Sequence, residues 1–83
     1  MNKRLLDILR VMYLYDAHSY TDIYKNVAST HISDSLLKLA EMDLIIKVQK
    51  GVYELTDKGE RVAEIAAQIM SMMDVIDEIV KEH

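Results

Sequence analysis

The sequence predicts a mainly α-helical fold that carries one small β-hairpin and ends in a long helix. Three observations lead there. Apolar residues recur every three or four positions over most of the chain, the rhythm of amphipathic helices. That rhythm breaks in IIKVQKGVYELTDKG, residues 45–59, where Ile46, Val48, Val52 and Tyr53 gather about one glycine. Beyond Gly59 an aliphatic and methionine repeat runs on with neither glycine nor proline.

From Lys3 to about Asp16, the residues Leu5, Ile8, Leu9 and Met12 follow the 3.6-residue period of a first helix. Leu6, Tyr13 and Leu14 lie off that stripe, so this helix is central in the domain or shared with a partner. In HSYTDIYKNVAS, Ser19 precedes Asp22 by three residues, a capping-box-like start for a short helix over about 20–27 with Ile23 and Val27 turned inward. STHISDSLLKLAEMDLI offers Ser29 and Thr30 as N-caps and sets Ile32, Leu36, Leu39 and Ala40 on one face of a helix over about 29–42. So short a connection forces these two helices to cross steeply, as in a helix-turn-helix.

Ile45, Ile46 and Val48 favour a strand, Lys50-Gly51 a tight turn, and VYEL the returning strand. Thr56 reads as the N-cap of the last helix, with Gly59 at the third position of the box and Glu60 one residue late. From Asp57 to about Glu82 this helix is about 39 Å long at 1.5 Å per residue, too long for a small domain to cover. Val62, Ile69 and Ile76 occupy one heptad position, Ile65, Met72 and Ile79 the next, and Ala66, Met73 and Val80 the flank. The predicted dimer interface, a coiled-coil seam, is Val62, Ile65, Ile69, Met72, Met73, Ile76, Ile79 and Val80. Residues 1–60 are thus expected to form one domain, and residues 57–83 a dimerisation helix continuous with it.

The totals narrow the function. Eighty-three residues, 51% of them hydrophobic, fit one soluble domain near the lower size limit for a self-sufficient core. The absence of cysteine excludes disulfides, thiol chemistry and thiolate metal sites. No run of 18 apolar residues and no secretion signal is present, so a cytoplasmic location is expected. The net charge of −4 is uneven: residues 1–56 hold seven Lys/Arg and seven Asp/Glu, whereas residues 57–83 hold three and seven. The acidity therefore belongs to the last helix, and it argues less strongly against a nucleic-acid partner than the total does.

VASTHISDSLLKLAEMDLI resembles the second half of the helix-turn-helix in small prokaryotic winged-helix regulators. There a serine-rich start is followed by leucines three apart and a leucine-isoleucine step into the wing. YELTDKG is similar to the phrase that ends the wing and starts the last helix in these families. Together the two stretches cover about residues 20–60. The long terminal helix extends the likeness to archaeal dimeric winged-helix DNA-binding proteins, including some from archaeal viruses. The resemblance implies a winged helix-turn-helix fold and sequence-specific binding of double-stranded DNA by a homodimeric transcriptional regulator. Two departures stand out. The second helix of the motif is poor in Arg and Lys, and Asp43 stands where these families usually have glycine, although aspartate tolerates the left-handed conformation that ends a helix.

With Ile32, Leu36 and Leu39 inward, helical geometry places Thr30, Asp34, Leu37, Lys38 and Glu41 outward, with His31 and Ser33 on the flanks. Ser29, Thr30, His31, Ser33, Asp34, Leu37 and Lys38 are the candidate recognition residues. Hydroxyls and His31 would bond phosphate or base edges, Asp34 would accept from a cytosine amino group, and Leu37 would touch a thymine methyl. Set against this is a solvated helix with an Asp34–Lys38 surface pair. Lys47 and Lys50 on the wing, with Lys25, Lys3 and Arg4 near helix ends, are the candidate phosphate contacts, each equally readable as a solubilising charge.

Tyr13, Tyr15, Tyr20 and Tyr24 read as packing rather than as a stacking platform, and Met70, Met72 and Met73 as packing rather than a ligand surface. Asp74, Asp77 and Glu78 read as a solvated face, and His18, His31 and His83 lack metal-ligand spacing. No phosphate loop, nucleophile elbow or acid/base constellation is visible, so neither an enzyme, a cofactor, a metal nor a small-molecule ligand is expected. Two alternatives accompany the DNA-binding regulator: a winged-helix protein-protein interaction module, which the acidic last helix would suit, and a non-specific architectural DNA-binding protein.

Overall fold

The Asn2 side chain accepts from the Leu5 amide and starts α1, Lys3–Tyr15, in the computed structural model, which describes residues 1–27 and 31–82. Four further elements precede the last helix: α2 (Tyr20–Asn26), α3 (Ile32–Glu41), β1 (Ile45–Gln49) and β2 (Val52–Leu55). α4 (Asp57–Val80) follows at once. This is the architecture of a winged helix-turn-helix with a long terminal helix, as the sequence predicts. α4 has 24 residues, about 36 Å, and stops at Val80 rather than near Glu82.

The core gathers around α1. Leu5, Ile8, Leu9 and Met12 are buried as expected, and so is Val11, which the sequence reading leaves out. Ile23 and Val27 close over it from the α2 segment, Ile32, Leu36 and Leu39 from α3, Leu44 and Ile45 from the entry to the hairpin, and Ala63 from α4. Leu14 and Tyr13, off the α1 stripe, remain exposed.

Two expectations for α3 are corrected. Ala40 is exposed, and Ser35 is the buried residue beside Ile32, Leu36 and Leu39, its hydroxyl donating to the His31 carbonyl at 3.5 Å. The helix begins at Ile32, with His31 at the N-cap position and no side-chain cap bond. The proposed caps Ser29 and Thr30 lie outside the described residues.

The hairpin pairs antiparallel in the register Ile45↔Leu55, Ile46↔Glu54 and Lys47↔Tyr53, with a bulge between Lys47 and Gln49. Gly51 turns it at φ 75°, in the left-handed region the turn requires. A feature absent from the sequence reading supports the hairpin's other side. Tyr53 N–H donates to the His18 carbonyl and Tyr20 N–H to the Gly51 carbonyl, both at 2.8 Å, so the α1–α2 connection adds a bridge at Ser19↔Val52. The His18 ring ties the same corner, Nδ1 donating to the Tyr53 carbonyl at 3.1 Å while Nε2 lies 2.6 Å from the Asp16 carboxylate.

Thr56 joins α3 to α4. Its hydroxyl donates to the Asp43 carbonyl at 2.7 Å and accepts from the Gly59 amide at 2.9 Å, the cap read from the sequence. Its own amide donates to the Leu44 carbonyl at 3.1 Å. Asp43 ends the turn at φ 60°, a left-handed conformation that aspartate tolerates better than most residues. Gly59 is buried because α4 crosses directly over the Leu44 backbone, where an added Cβ would overlap the carbonyl. Ala63 and Ala66, fully buried, continue this close contact along α4.

Candidate nucleic-acid interface

Burying Ile32, Leu36 and Leu39 turns the opposite face of α3 to solvent. Ser33, Asp34, Leu37, Lys38 and Glu41 are all exposed, as is His31 before them. Leu37 is 60% exposed in the middle of that face, an aliphatic side chain with no place in the core. Of the candidate recognition residues, Ser29 and Thr30 lie outside the described residues, and the other five stand on this surface.

α3 and the hairpin meet in a concavity of about 260 Å³ lined by Ser33, Leu36, Leu37, Ala40, Lys47 and Tyr53. The structure thus brings two recognition candidates, Ser33 and Leu37, beside one wing candidate, Lys47. It also explains the exposure of Ala40, which faces this concavity and not the core. Lys50 sits at the hairpin turn, Lys25 in the last turn of α2, and Lys3 and Arg4 in the first turn of α1, all exposed and none lining the concavity.

Two residues of this surface are not among the candidates named from sequence: Tyr20, which reads there as packing, and Tyr53, which reads there as part of the hairpin. The Tyr20 hydroxyl lies 3.1 Å from the Ser33 hydroxyl, joining α2 to the outer edge of α3. Its ring stacks on Tyr24 at 6.5 Å between centroids and 9° between planes, which holds the Tyr20 hydroxyl in place. The spacing of four between the two tyrosines is the signal that points to it, since such residues are neighbours on a helix. Tyr53 stands opposite Lys47 in the ladder, and the alternation of the strand is enough to place the pair on one face.

Charge is separated around the hairpin. Lys47 is the charged residue lining the α3–hairpin concavity, whereas a second hollow of about 340 Å³ is lined by Asp16, His18, Glu54 and Glu60, together with Met12, Tyr13 and Leu55. Three carboxylates, Asp16 after α1, Glu54 on β2 and Glu60 at the start of α4, thereby line one hollow. Arg10 is engaged within α1: the Asp7 carboxylate, bonded to it at 3.2 and 2.8 Å, raises the guanidinium above its ordinary pKa. Among the described residues, no three His, Cys, Asp or Glu side chains are placed to hold a metal ion, and no helix is long and apolar enough to cross a membrane.

The predicted dimer residues divide. Val62 is partly buried and packs on the domain's own core, so its side chain is mostly committed there. Ile65, Ile69, Met72, Met73, Ile76, Ile79 and Val80 are exposed, and Val75, absent from the sequence reading, is exposed with them. Ala66, read as part of the seam's flank, is buried against the domain.

Comparison with known proteins gives one informative likeness. No family model matches the chain, and no solved structure matches it. The chain is 30% identical, over 93 aligned positions covering 87% of its length, to the HTH-type transcriptional activator ArnR1 of Sulfolobus acidocaldarius. It spans 35% of the length of that relative, so the likeness concerns a domain-sized part of a larger protein.

Proposed function

We propose that the protein is a homodimeric transcriptional regulator that binds double-stranded DNA in a sequence-specific manner. α3 enters the major groove, and the hairpin acts as a wing on the adjacent phosphates. Residues 1–60 carry the DNA contacts, and the exposed face of α4 carries the dimer. The observation that supports this most strongly is the shared surface of α3 and hairpin, where Ser33, Leu37 and Lys47 face one concavity. The three carboxylates of the second hollow stand apart from it. The likeness to a helix-turn-helix transcriptional activator points the same way.

His31, Ser33 and Asp34 supply the polar contacts to base edges, with Ser29 and Thr30 assigned from sequence, and Leu37 meets a thymine methyl. Lys47 and Lys50, with Lys25, Lys3 and Arg4, hold phosphates, and Lys38 lies at the groove edge. Two copies on one duplex place their α3 helices about 34 Å apart, one turn of DNA. A mobility-shift titration over genomic fragments at low salt tests the reading. Absence of a shift at micromolar dimer overturns it. Where binding occurs, Lys50→Ala weakens all sequences alike, and Ser33→Ala changes the preference among them.

The rival reading, a protein-interaction module, draws on the exposed Met72 and Met73 and the acidity of α4. A stoichiometric protein partner, together with absence of DNA binding at any salt concentration, would replace the first reading with this one.

A further inference from the structure

Two hydroxyls meet at the outer edge of α3, and they are not chemically equal. The Tyr20 phenol oxygen lies 3.1 Å from Ser33 Oγ, within reach for one to donate to the other. A phenol is the stronger hydrogen-bond donor of such a pair and an aliphatic alcohol the stronger acceptor, so the proton between them is that of Tyr20. Ser33 has one proton and two lone pairs, and the phenol takes up one lone pair. The serine proton is left to be given to something else.

Accepting that bond also changes what Ser33 does best. Hydrogen bonds in a chain polarise one another, so an oxygen that already accepts becomes a better donor and a poorer acceptor towards its next partner. Ser33 is exposed and lines the concavity with Leu37 and Lys47, and its strengthened donor is therefore presented on the surface assigned above to DNA.

Tyr20 belongs to α2, and three separate parts of the molecule hold it. Its amide donates to the Gly51 carbonyl at the hairpin turn at 2.8 Å. Its ring is partly buried against the core and lies nearly parallel to that of Tyr24, and its hydroxyl reaches α3. A phenol held in this way does not follow the Ser33 side chain as it turns. Ser33 keeps the bond only in the rotamer that points at Tyr20, so the serine is ordered when the chain folds and not when DNA arrives.

We infer that Tyr20 is a positioning residue for DNA recognition: by donating to Ser33 Oγ it sets the serine as a hydrogen-bond donor, which selects a base whose major-groove edge accepts and rejects cytosine. This rests on the DNA binding proposed above and adds to it the class of base. Guanine presents O6 and N7 as acceptors in the major groove, adenine N7 and thymine O4, whereas cytosine presents its amino donor.

Duplexes selected from a random-sequence pool by the unsubstituted chain and by Ser33→Ala identify the position that Ser33 reads, as the one whose preference the substitution erases. The unsubstituted chain is expected to disfavour cytosine there. Tyr20→Phe keeps the ring on the core and on Tyr24 and removes only the hydroxyl. It is expected to reduce the discrimination against cytosine about three- to ten-fold, with affinity for unrelated duplexes and the circular dichroism spectrum unchanged. In a Ser33→Ala chain the same substitution is expected to change nothing, since the hydroxyl through which it acts is gone.

A loss of binding to every sequence that persists in the Ser33→Ala background would mark a purely structural role for Tyr20 and overturn the inference. An unaltered preference in Tyr20→Phe does the same, and so does a preference for cytosine in the unsubstituted chain, which reverses donor and acceptor. If Ser33→Ala erases no preference, Ser33 reads no base and the inference falls while DNA binding stands. Failure of the unsubstituted chain to bind any duplex removes the DNA-binding reading itself, and this inference with it.

Discussion

The two halves of α4 solve opposite packing problems with opposite residues. In the first half Gly59, Ala63 and Ala66 meet the domain, and their small side chains let the helix backbone lie close over Leu44 and α1. In the second half Ile69, Met72, Ile76 and Ile79 extend into solvent, past the end of the domain that could cover them. The difference shows how one uninterrupted helix divides between two duties. Small residues mark where α4 packs on its own domain, and large aliphatics mark the stretch that the domain leaves uncovered.

The largest effect expected from breaking this division is in the second half. Ile69→Asp with Ile76→Asp removes four aliphatic side chains per dimer, each worth about 1.5–3 kcal/mol when buried, and should weaken association at least about a thousand-fold. Sedimentation velocity would then report monomers with unchanged helical circular dichroism; a persisting dimer would mean that the stripe is not the interface. Next comes Gly59→Ala in the first half, expected to cost about 1–3 kcal/mol as the added methyl pushes α4 off the Leu44 carbonyl. Thermal melting at fixed protein concentration measures it, at about 4–8 °C per kcal/mol for a domain this size.

A smaller change, about 1 kcal/mol, is expected for Thr56→Val, which removes both the cap on Gly59 and the bond to Asp43, with Thr56→Ser retaining most of the stability. Equal melting of the two variants would show that the hydroxyl contributes nothing. Lys81→Ala should leave melting unchanged, because the Lys81–Glu78 contact spans 4.0 Å between side chains that are 75% and 79% exposed. A measurable loss there would indicate that the end of α4 is held by more than its own surface.

Most element boundaries were legible because local chemistry sets them. Ser19 accepts from the Asp22 amide and Thr56 from the Gly59 amide, and both caps are visible as a hydroxyl three residues before its donor. The failure on α3 has a geometric cause. Ser35 and Ala40 both lie about 70° from the centre of the stripe formed by Ile32, Leu36 and Leu39, on opposite sides. Hydrophobicity favours Ala40, but the hairpin packs so as to leave that side open as the concavity, and Ser35 is buried with its hydroxyl turned to the His31 carbonyl.

The candidate interface was legible residue by residue but not as a surface. That Ser33 and Leu37 share a concavity with Lys47 depends on the packing of the hairpin against α3, which no short spacing encodes. The bridge from Ser19 to Val52 was invisible for a similar reason, since a single pair of residues carries no alternation to read.

That bridge gives the wing its mechanical character. β2 is hydrogen-bonded on one edge to β1 and on the other to the chain entering α2, so the hairpin cannot swing without dragging the corner that starts the helix-turn-helix. A load applied at the tip, by a phosphate held on Lys50 for instance, would travel along Tyr53 and His18 into the seat of α2 and α3. The flap and the motif would then rock as one lever.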